Sequence, residues 1–169
     1  MDEEALYKIT YGLYVVSAKA DGQSSGCVVN TLQQVTAEPV RLAVTVNKGN
    51  LTCQLMEKAG YFTAVALDQR ADMMLIGRFG FRSGRDFQKF EGIASAEDKA
   101  GMPYPLEAVC AHYSCKIEQT MDLGTHMMFV GVAEEAEILS EEEALTYAYY
   151  RNVIKGKTPQ SAPSYQKGN

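Results

Sequence analysis

The sequence predicts a mainly β domain: an antiparallel β-barrel, closed or partly closed, with a few helices set around it. Three observations lead there. At least six segments carry strand patterns, alternating or apolar. Glycine-bearing turns of the hairpin type connect several of them. The order runs strands and hairpins, one or two helices, strands again and a terminal helix, which is not the regular strand–helix alternation of a doubly wound sheet. The 169 residues suit one domain, long enough to bury a core without disulfide or metal. That domain is expected over residues 1–154, with 155–169 an extended arm or linker remnant rich in Gly, Lys, Pro, Gln and Ser.

The elements follow in order. A short helix is expected over about Glu3 to Ile9, then a strand from Gly12 to Ala20. Asp21-Gly22 is a hairpin turn signal, because glycine accepts the positive φ of tight hairpins. Gly26 to Thr31 is the returning strand, and Pro39 breaks the next segment. Leu42, Val44 and Val46 alternate in a further strand. Asn50 or Thr52 is placed to cap a helix to about Ala59, with Leu51, Leu55 and Ala59 as its stripe and Gly60 as its stop. Tyr61 to Leu67 is a strand, and a second helix covers roughly Arg70 to Arg78. The stretch from Phe79 to Tyr104 has no clear period and reads as a long, potentially functional excursion. Strands return at Val109 to Ile117 and His126 to Ala136. Ser140-Glu141-Glu142-Glu143 has the spacing of a capping box, opening a last helix with Leu145, Ala148, Tyr149 and Val153 on its apolar face.

Composition narrows the function classes. Hydrophobic residues make up 46% and charged residues 22%, the profile of an ordinary globular chain. The net charge of −5 argues against a nucleic-acid surface, though not against a local anion pocket. The start, Met1-Asp2-Glu3-Glu4, lacks the basic and apolar regions of a secretory signal, and no apolar run is long enough to span a bilayer, so a cytoplasmic location is expected. Cys27, Cys53, Cys110 and Cys115 form no C-x-x-C pair, and only His112 and His126 are present, so no metal site is expected. The cysteines read as small, reduced core residues. His112 falls on the polar face of its strand and is expected to be solvated. His126, on a face with Met128, Val130 and Val132, fits a structural histidine better than a catalyst.

No GxGxxG follows a strand, no Walker A or GxSxG motif occurs, and no carboxylate pair has a readable catalytic spacing. The best chemical candidate is a split anion site. One half is Asn30-Thr31-Leu32-Gln33 at a strand end; the other is Lys48-Gly49-Asn50-Leu51-Thr52, a turn feeding a helix N-terminus. Free amides, short polar side chains and one ammonium suit a phosphate. Spacing alone favours the plainer alternative, in which Asn50 and Thr52 only cap the helix and Thr31 only ends a strand. A second candidate, Phe79 to Phe87 with Phe81, Arg82, Ser83 and Arg85, would cover a flat ligand or else be a surface loop pinned by its phenylalanines.

Taken in order, these segments resemble the flavin reductase-like family of FMN-binding split barrels. The likeness runs through Gly12 to Gly22, Gly26 to Thr36, Pro39, Arg41 to Thr52, Phe79 to Phe90, Gly124-Thr125-His126 and Phe129 to Glu134, or nearly all of Leu6 to Ile154. Within the family the chain resembles the flavin reductase domain of high-molecular-weight rubredoxins and ferric reductase-like proteins. The chain has no paired C-x-x-C motifs of a rubredoxin, so iron-centre chemistry is not implied.

The resemblance implies an antiparallel split barrel of Greek-key type and a homodimer with one FMN per subunit near the interface. Asn30, Thr31, Leu32 and Gln33 would line the isoalloxazine and ribityl chain. Lys48, Asn50 and Thr52 would hold the phosphate. Phe81, Ser83 and Arg85 would lie at the flavin edge or the partner's site, and His126 near the pyridine-nucleotide pocket. Many members carry Gly-Asp-His where this chain has Gly124-Thr125-His126, which removes a carboxylate beside the histidine. The implied activity is NAD(P)H-dependent flavin reduction, with NADH or NADPH as co-substrate and a flavin, ferric or protein acceptor, such as a rubredoxin-like or flavodiiron partner. The alternatives are an FMN electron-transfer protein that does not itself oxidise NAD(P)H, and a non-redox binding module on the same barrel.

Overall fold

A computed structural model describes residues 1–160 and 162. A 3-10 helix at Glu3–Lys8 starts on Asp2, whose side chain accepts from the Glu4 N–H. Then come β1 (Tyr14–Ala20), β2 (Gln23–Val29), β3 (Gln33–Ala37), β4 (Val40–Asn47), α1 (Leu51–Ala59), β5 (Tyr61–Leu67) and α2 (Met73–Gly80). The excursion after α2 holds a small hairpin, β6 (Ser95–Glu97) with β7 (Pro103–Pro105). The long pair β8 (Val109–Asp122) and β9 (His126–Ile138) follows, and a helical segment, Tyr147–Tyr149 then Tyr150–Ile154, comes last.

Local chemistry sets these boundaries. Asp21 and Gly22 have φ of 52° and 75°, the positive pair of a primed hairpin turn, so β1 and β2 meet in tight register from Ala20–Gln23 to Tyr14–Val29. Gly60, at φ 69°, ends α1 and donates its N–H to Met56 O at 3.0 Å. Asp72 starts α2 by accepting from the Leu75 N–H at 2.9 Å, two residues after the expected Arg70 start.

The seven main strands form one antiparallel sheet in the order β2-β1-β5-β8-β9-β4-β3. Its two edges, β2 and β3, are consecutive in the chain: β2 ends at Val29 and β3 starts at Gln33. In a flat sheet those edges would stand six spacings, about 29 Å, apart. The Val29-to-Gln33 connection reaches at most about 14 Å. The sheet therefore curls on itself and leaves a split between β2 and β3, with Asn30, Thr31 and Leu32 bridging it. This is the predicted split barrel.

Apolar side chains pack on both faces. On one, Leu51, Leu55 and Met56 of α1 bury against Val16, Val44, Phe62 and Phe129. On the other, Leu75, Ile76 and Phe79 of α2 bury against Val15, Val65 and Leu67, with Leu145 and Tyr150. Each such fully buried side chain is worth roughly 1.5–3 kcal/mol.

Several expectations need correction. β3 was not anticipated as a strand. His112 is not solvated: it is 1% exposed, its ring stacks on Tyr104 with centroids 4.1 Å apart, and Nε2 lies 2.8 Å from Thr63 Oγ1. The β6–β7 hairpin, which carries Tyr104, covers that face. Ser140 opens no helix; its hydroxyl donates to Val109 O at 3.2 Å, and the helical segment begins at Thr146, which accepts from the Tyr149 N–H. Its buried residues are Tyr147 and Tyr150, while Val153 is 58% exposed. The described start of the expected arm folds back rather than extending away. Gly156 donates its N–H to Tyr150 O at 3.1 Å, and the Tyr150 hydroxyl donates to Lys157 O at 2.8 Å. Residues 161 and 163–169 of the expected arm lie outside the described residues. Among the described residues, no helix is long and apolar enough to cross a membrane, and no group of His, Cys, Asp and Glu is placed to hold a metal ion.

Candidate functional site

The split brings two halves of a site together. On the bridging link, the Thr31 hydroxyl donates to Thr45 O at 2.9 Å, which ties the link to β4; Asn30 and Leu32 are buried. Gln33 begins β3 and is exposed. β4 runs out at Asn47, whose Oδ1 accepts from the Gly49 N–H at 2.8 Å and whose carbonyl accepts from the Asn50 N–H at 3.0 Å. This turn delivers the chain into α1.

Neither Asn50 nor Thr52 caps α1. Asn50 holds the N-cap position without a side-chain capping bond, and the first turn contains no acidic residue. Thr52 is buried, and its hydroxyl instead donates to Ser25 Oγ on β2 at 3.2 Å. The start of α1 therefore has no side-chain acceptor for its amides, and the helix dipole adds partial positive charge there. This helix start is where the sequence predicts one half of an anion site.

A cleft of about 450 Å³, counting its open mouth, lies at this helix start, lined by Cys27, Asn50, Thr52, Arg82, Gly84 and Lys89 among others. A recess of about 380 Å³ adjoins it; Val28, Val29 and Gly80 line both. The recess is mostly apolar, with Asn30 and Phe81 beside Leu13, Tyr147 and Tyr150. Pro159 and Ala162 close one side of both spaces. A wider groove beyond α2 shares only Arg82 with the cleft, and Arg82 is the one residue of the predicted candidates that lines it.

The excursion after α2 supplies the remaining wall. Lys89 is 2% exposed, and its ammonium donates to the carbonyls of Arg78 at 2.6 Å, Phe79 at 3.4 Å and Arg82. Burial, above all, pulls its pKa down to about 8. The guanidinium groups of Arg78 and Arg82 lie over the Phe87 ring, 5.0 and 4.5 Å from its centroid. The loop so fixed presses Gly84 against Ser25 and Leu51. Ser83 and Arg85 flank Gly84 at the surface, where Ser83 Oγ accepts from the Arg85 N–H at 3.2 Å. Cys27 sits among these groups. Burial pushes its thiol up to about 11, outweighing the opposing influence of the Thr52 and Asn50 side chains and the nearby Lys89 charge, so it remains a neutral thiol.

Lys48 and His126 lie away from the cleft wall. The Lys48 ammonium is 2.7 Å from Asp122 Oδ2. His126 pairs with Asn47 across β4 and β9, and its Nδ1 is 2.8 Å from Thr125 Oγ1. The threonine hydroxyl thus contacts the imidazole from the position where the family pattern has a carboxylate. Of the predicted residues, Asn30, Asn50, Thr52 and Phe81 line the two spaces, Thr31 joins them through Thr45, and Leu32 packs into the core behind. Gln33, Lys48, Ser83, Arg85 and His126 stand outside the lining.

Sequence reasoning missed Ser25, Gly26 and Lys89. A glycine inside a strand was the available signal for the first two. A Cβ on Gly26 would stand 2.8 Å from Ser17 Oγ and 3.1 Å from the Phe79 ring, so a larger residue would press against the end of α2 where it closes on β2.

Comparison with known proteins settles the relationship. The model of the flavin reductase like domain matches residues 6–157. The chain belongs to the flavin reductase-like family. This flavin reductase-like domain is 42% identical over 165 residues to the ferric-chelate reductase (NAD(P)H) of Archaeoglobus fulgidus, covering 98% of each chain. It is 40% identical over 168 residues to the high molecular weight rubredoxin of Moorella thermoacetica, covering 99% of this chain and 73% of that protein. The solved structure of an FMN-binding protein from Thermus thermophilus, with bound p-hydroxybenzaldehyde, superposes with a TM-score of 0.70 at 22% identity, over 78% of this chain and 73% of that one, and shows the common fold. The chain is accordingly an oxidoreductase of flavin reductase type.

Proposed function

We propose that the cleft and its apolar recess hold FMN and that the protein uses NADH or NADPH to reduce it. The observation that carries this is the uncapped start of α1 opening into a cleft beside an apolar recess: a phosphate receiver next to a space for a flat ring. The donor set fits the group. Asn50, Thr52 and the first α1 amides hold the phosphate, with Lys48 at the rim, where it reaches the phosphate only by exchanging Asp122. Asn30, Thr31, Leu32 and Gln33 border the ribityl chain and ring, and Phe81, Ser83 and Arg85 stand at the ring edge. His126 borders the nicotinamide.

Bound there, FMN supplies hydride chemistry at its N5. The chain's own residues orient and shield. Thr31, fixed to Thr45, sets the position of the link; Phe81 and Val29 exclude water; the Thr125 hydroxyl orients His126. No side chain needs to act as acid or base. The acceptor is a flavin, a ferric chelate or a redox protein such as a rubredoxin-like or flavodiiron partner; the names of relatives, flavin reductase, ferric-chelate reductase and high molecular weight rubredoxin, support the first three.

A homodimer completes this reading. All five residues of β3, Val35 among them, are exposed, and Val40 on β4, Met121 at the end of β8 and Leu123 just after it add exposed apolar surface. A second copy covering that face would bring its residues near Gln33. We place the domain at 1–154 and the arm at 155–169, the arm's described start lying over the recess.

The test is the visible spectrum after adding FMN and removing the excess, with mass measurement by light scattering. Flavin bands in near-equal amount to protein, bleached by anaerobic NADH or NADPH, are expected, at dimer mass. Retained flavin that neither nucleotide bleaches would make it an electron carrier, and no binding on titration would overturn the cofactor assignment.

A further inference from the structure

We propose that the barrel wall beneath the β6–β7 hairpin is a buried water-binding site, formed by Ser17, His112 and Ser114 on the wall and Asp98 on the hairpin, and that water held there fastens the hairpin to the barrel. The inference stands independently of the flavin reading above.

Strand register builds the site. Ser17 on β1 pairs with Thr63 on β5, and Thr63 pairs with Ser114 on β8. Cross-strand partners share a face, so three hydroxyls stand side by side across the wall. His112 lies two residues before Ser114 on β8 and points the same way. This is the face of Val15 and Val65, which bury against α2. None of Ser17, Thr63, His112 and Ser114 is more than 1% exposed. The hairpin closes over them: Tyr104 stacks on His112, and Asp98, at the hairpin turn, is buried.

Buried polar atoms are costly unless hydrogen-bonded. Among the described residues, Ser17 Oγ, Ser114 Oγ, His112 Nδ1 and Asp98 Oδ2 are buried with no protein partner. Thr63 decides what His112 presents. Its hydroxyl has one proton, and Oγ1 lies 3.2 Å from Tyr113 O, which only accepts, and 2.8 Å from His112 Nε2. Both contacts are satisfied when Thr63 donates to Tyr113 O and the imidazole donates from Nε2. Nδ1 is then a bare acceptor. Asp98 Oδ1 takes the Met102 N–H at 2.8 Å, which leaves Oδ2 as a second bare acceptor. After burial, the charge of Asp98 is the largest influence on His112, so the two face one enclosed space.

Two acceptors cannot satisfy each other. The ligand must donate to both and accept from a hydroxyl, which water does. Metal chemistry does not fit: among the described residues no group of His, Cys, Asp and Glu is placed to hold an ion. The water has mechanical consequences. The hairpin's ion pairs, Lys19–Glu97 and Lys99–Glu135, both use exposed lysines and contribute little. Phe90, Ile93 and Ala96 of the same excursion pack against the α2 cluster, so fastening the hairpin also steadies the segment that follows the cleft wall.

A dry wall is the competing account, and the two differ in sign. Deleting a hydroxyl that water bridges breaks a hydrogen bond; deleting a dry, unpartnered hydroxyl relieves a penalty. The experiment compares the full-length wild type with Ser17→Ala and Ser114→Ala. It reads hydrogen exchange at the Asp98 and Leu106 amides, which donate to Met102 O and Ala94 O across the hairpin. Exchange is expected to be about fivefold faster in each variant. Nitrogen NMR of the wild type is expected to show His112 protonated at Nε2 and hydrogen-bonded at Nδ1, with cross-peaks from long-lived water to neighbouring amides. Unchanged or slower exchange in the variants overturns the proposal. A wild type whose His112 is protonated at Nδ1, or that shows no long-lived water there, overturns it too, even if the variants fail to fold.

Discussion

Gly84 lies so close to Ser25 that a Cβ on it would stand 2.2 Å from the Ser25 hydroxyl oxygen and 3.0 Å from the Ser25 Cβ. That hydroxyl is already engaged by Thr52, so it has little freedom to turn away. Gly84→Ala is expected to cost about 1–3 kcal/mol through overpacking and to lift the loop from the cleft, weakening FMN binding. Thermal unfolding and FMN titration measure both. Adding Ser25→Gly removes the obstructing atoms and should restore much of the loss; a double variant no better than Gly84→Ala would rule out the contact as the cause.

Thr52→Val keeps the shape of a buried side chain and deletes its hydroxyl. The Ser25 bond is lost, at about 1 kcal/mol of stability. If the same hydroxyl serves the phosphate, FMN affinity drops a further roughly fivefold while riboflavin affinity holds. Parallel losses for the two ligands would remove Thr52 from the phosphate contacts.

His112 is buried and neutral. Burial lowers its pKa below 6.5, outweighing the opposing pull of Asp98, Glu137 and Glu135. A histidine harder to protonate in the fold than in the unfolded chain takes up protons on unfolding. Its share of stability is thus complete above pH 6.5 and declines as pH falls from there towards the folded value. His112→Gln should flatten the melting temperature between pH 5 and 7 relative to wild type. An unchanged slope would assign that pH dependence to other groups.

Asp68 behaves oppositely with respect to its partner. Its carboxyl is fully buried, and burial alone would raise its pKa, but the Arg70 guanidinium holds it below the usual value with Nε at 3.0 Å and Nη2 at 2.6 Å. A depressed carboxyl contributes stability that is present above its unfolded pKa and is lost as pH falls through the folded one. Arg70→Gln should therefore lower the melting temperature at pH 7 and move the acid transition to higher pH. Acid titration followed by circular dichroism reads the shift.

Much of this fold is legible in the sequence where local chemistry and burial agree. Tyr61 to Leu67 is strand in both, and Asp21-Gly22 and Gly60 mark turns that only positive φ permits. Legibility fails where an element's environment is set by distant chain. β3 shows no alternation because all five of its residues are exposed on an edge. His112 sits among polar residues, yet the β6–β7 hairpin covers them, so a polar face is not a wet one here. Ser140 has the spacing of a capping box but spends its hydroxyl on Val109 O. The site divides likewise. The turn into α1 was visible as a motif, and Asn30 to Gln33 as polar residues ending a strand. Lys89 was invisible, because nothing local distinguishes a lysine that three carbonyls will bury.

The split between β2 and β3 has a consequence for how the loaded protein comes apart. Its two lips are joined in the chain by Asn30, Thr31 and Leu32, and a flavin held as proposed, against that link and the start of α1, would act as a staple across the gap. Ligand and closure then stabilise each other by mass action. On heating, the lips part first, so free flavin fluorescence rises before the strand signal falls, and the colour of the sample becomes a thermometer for the barrel's weakest join.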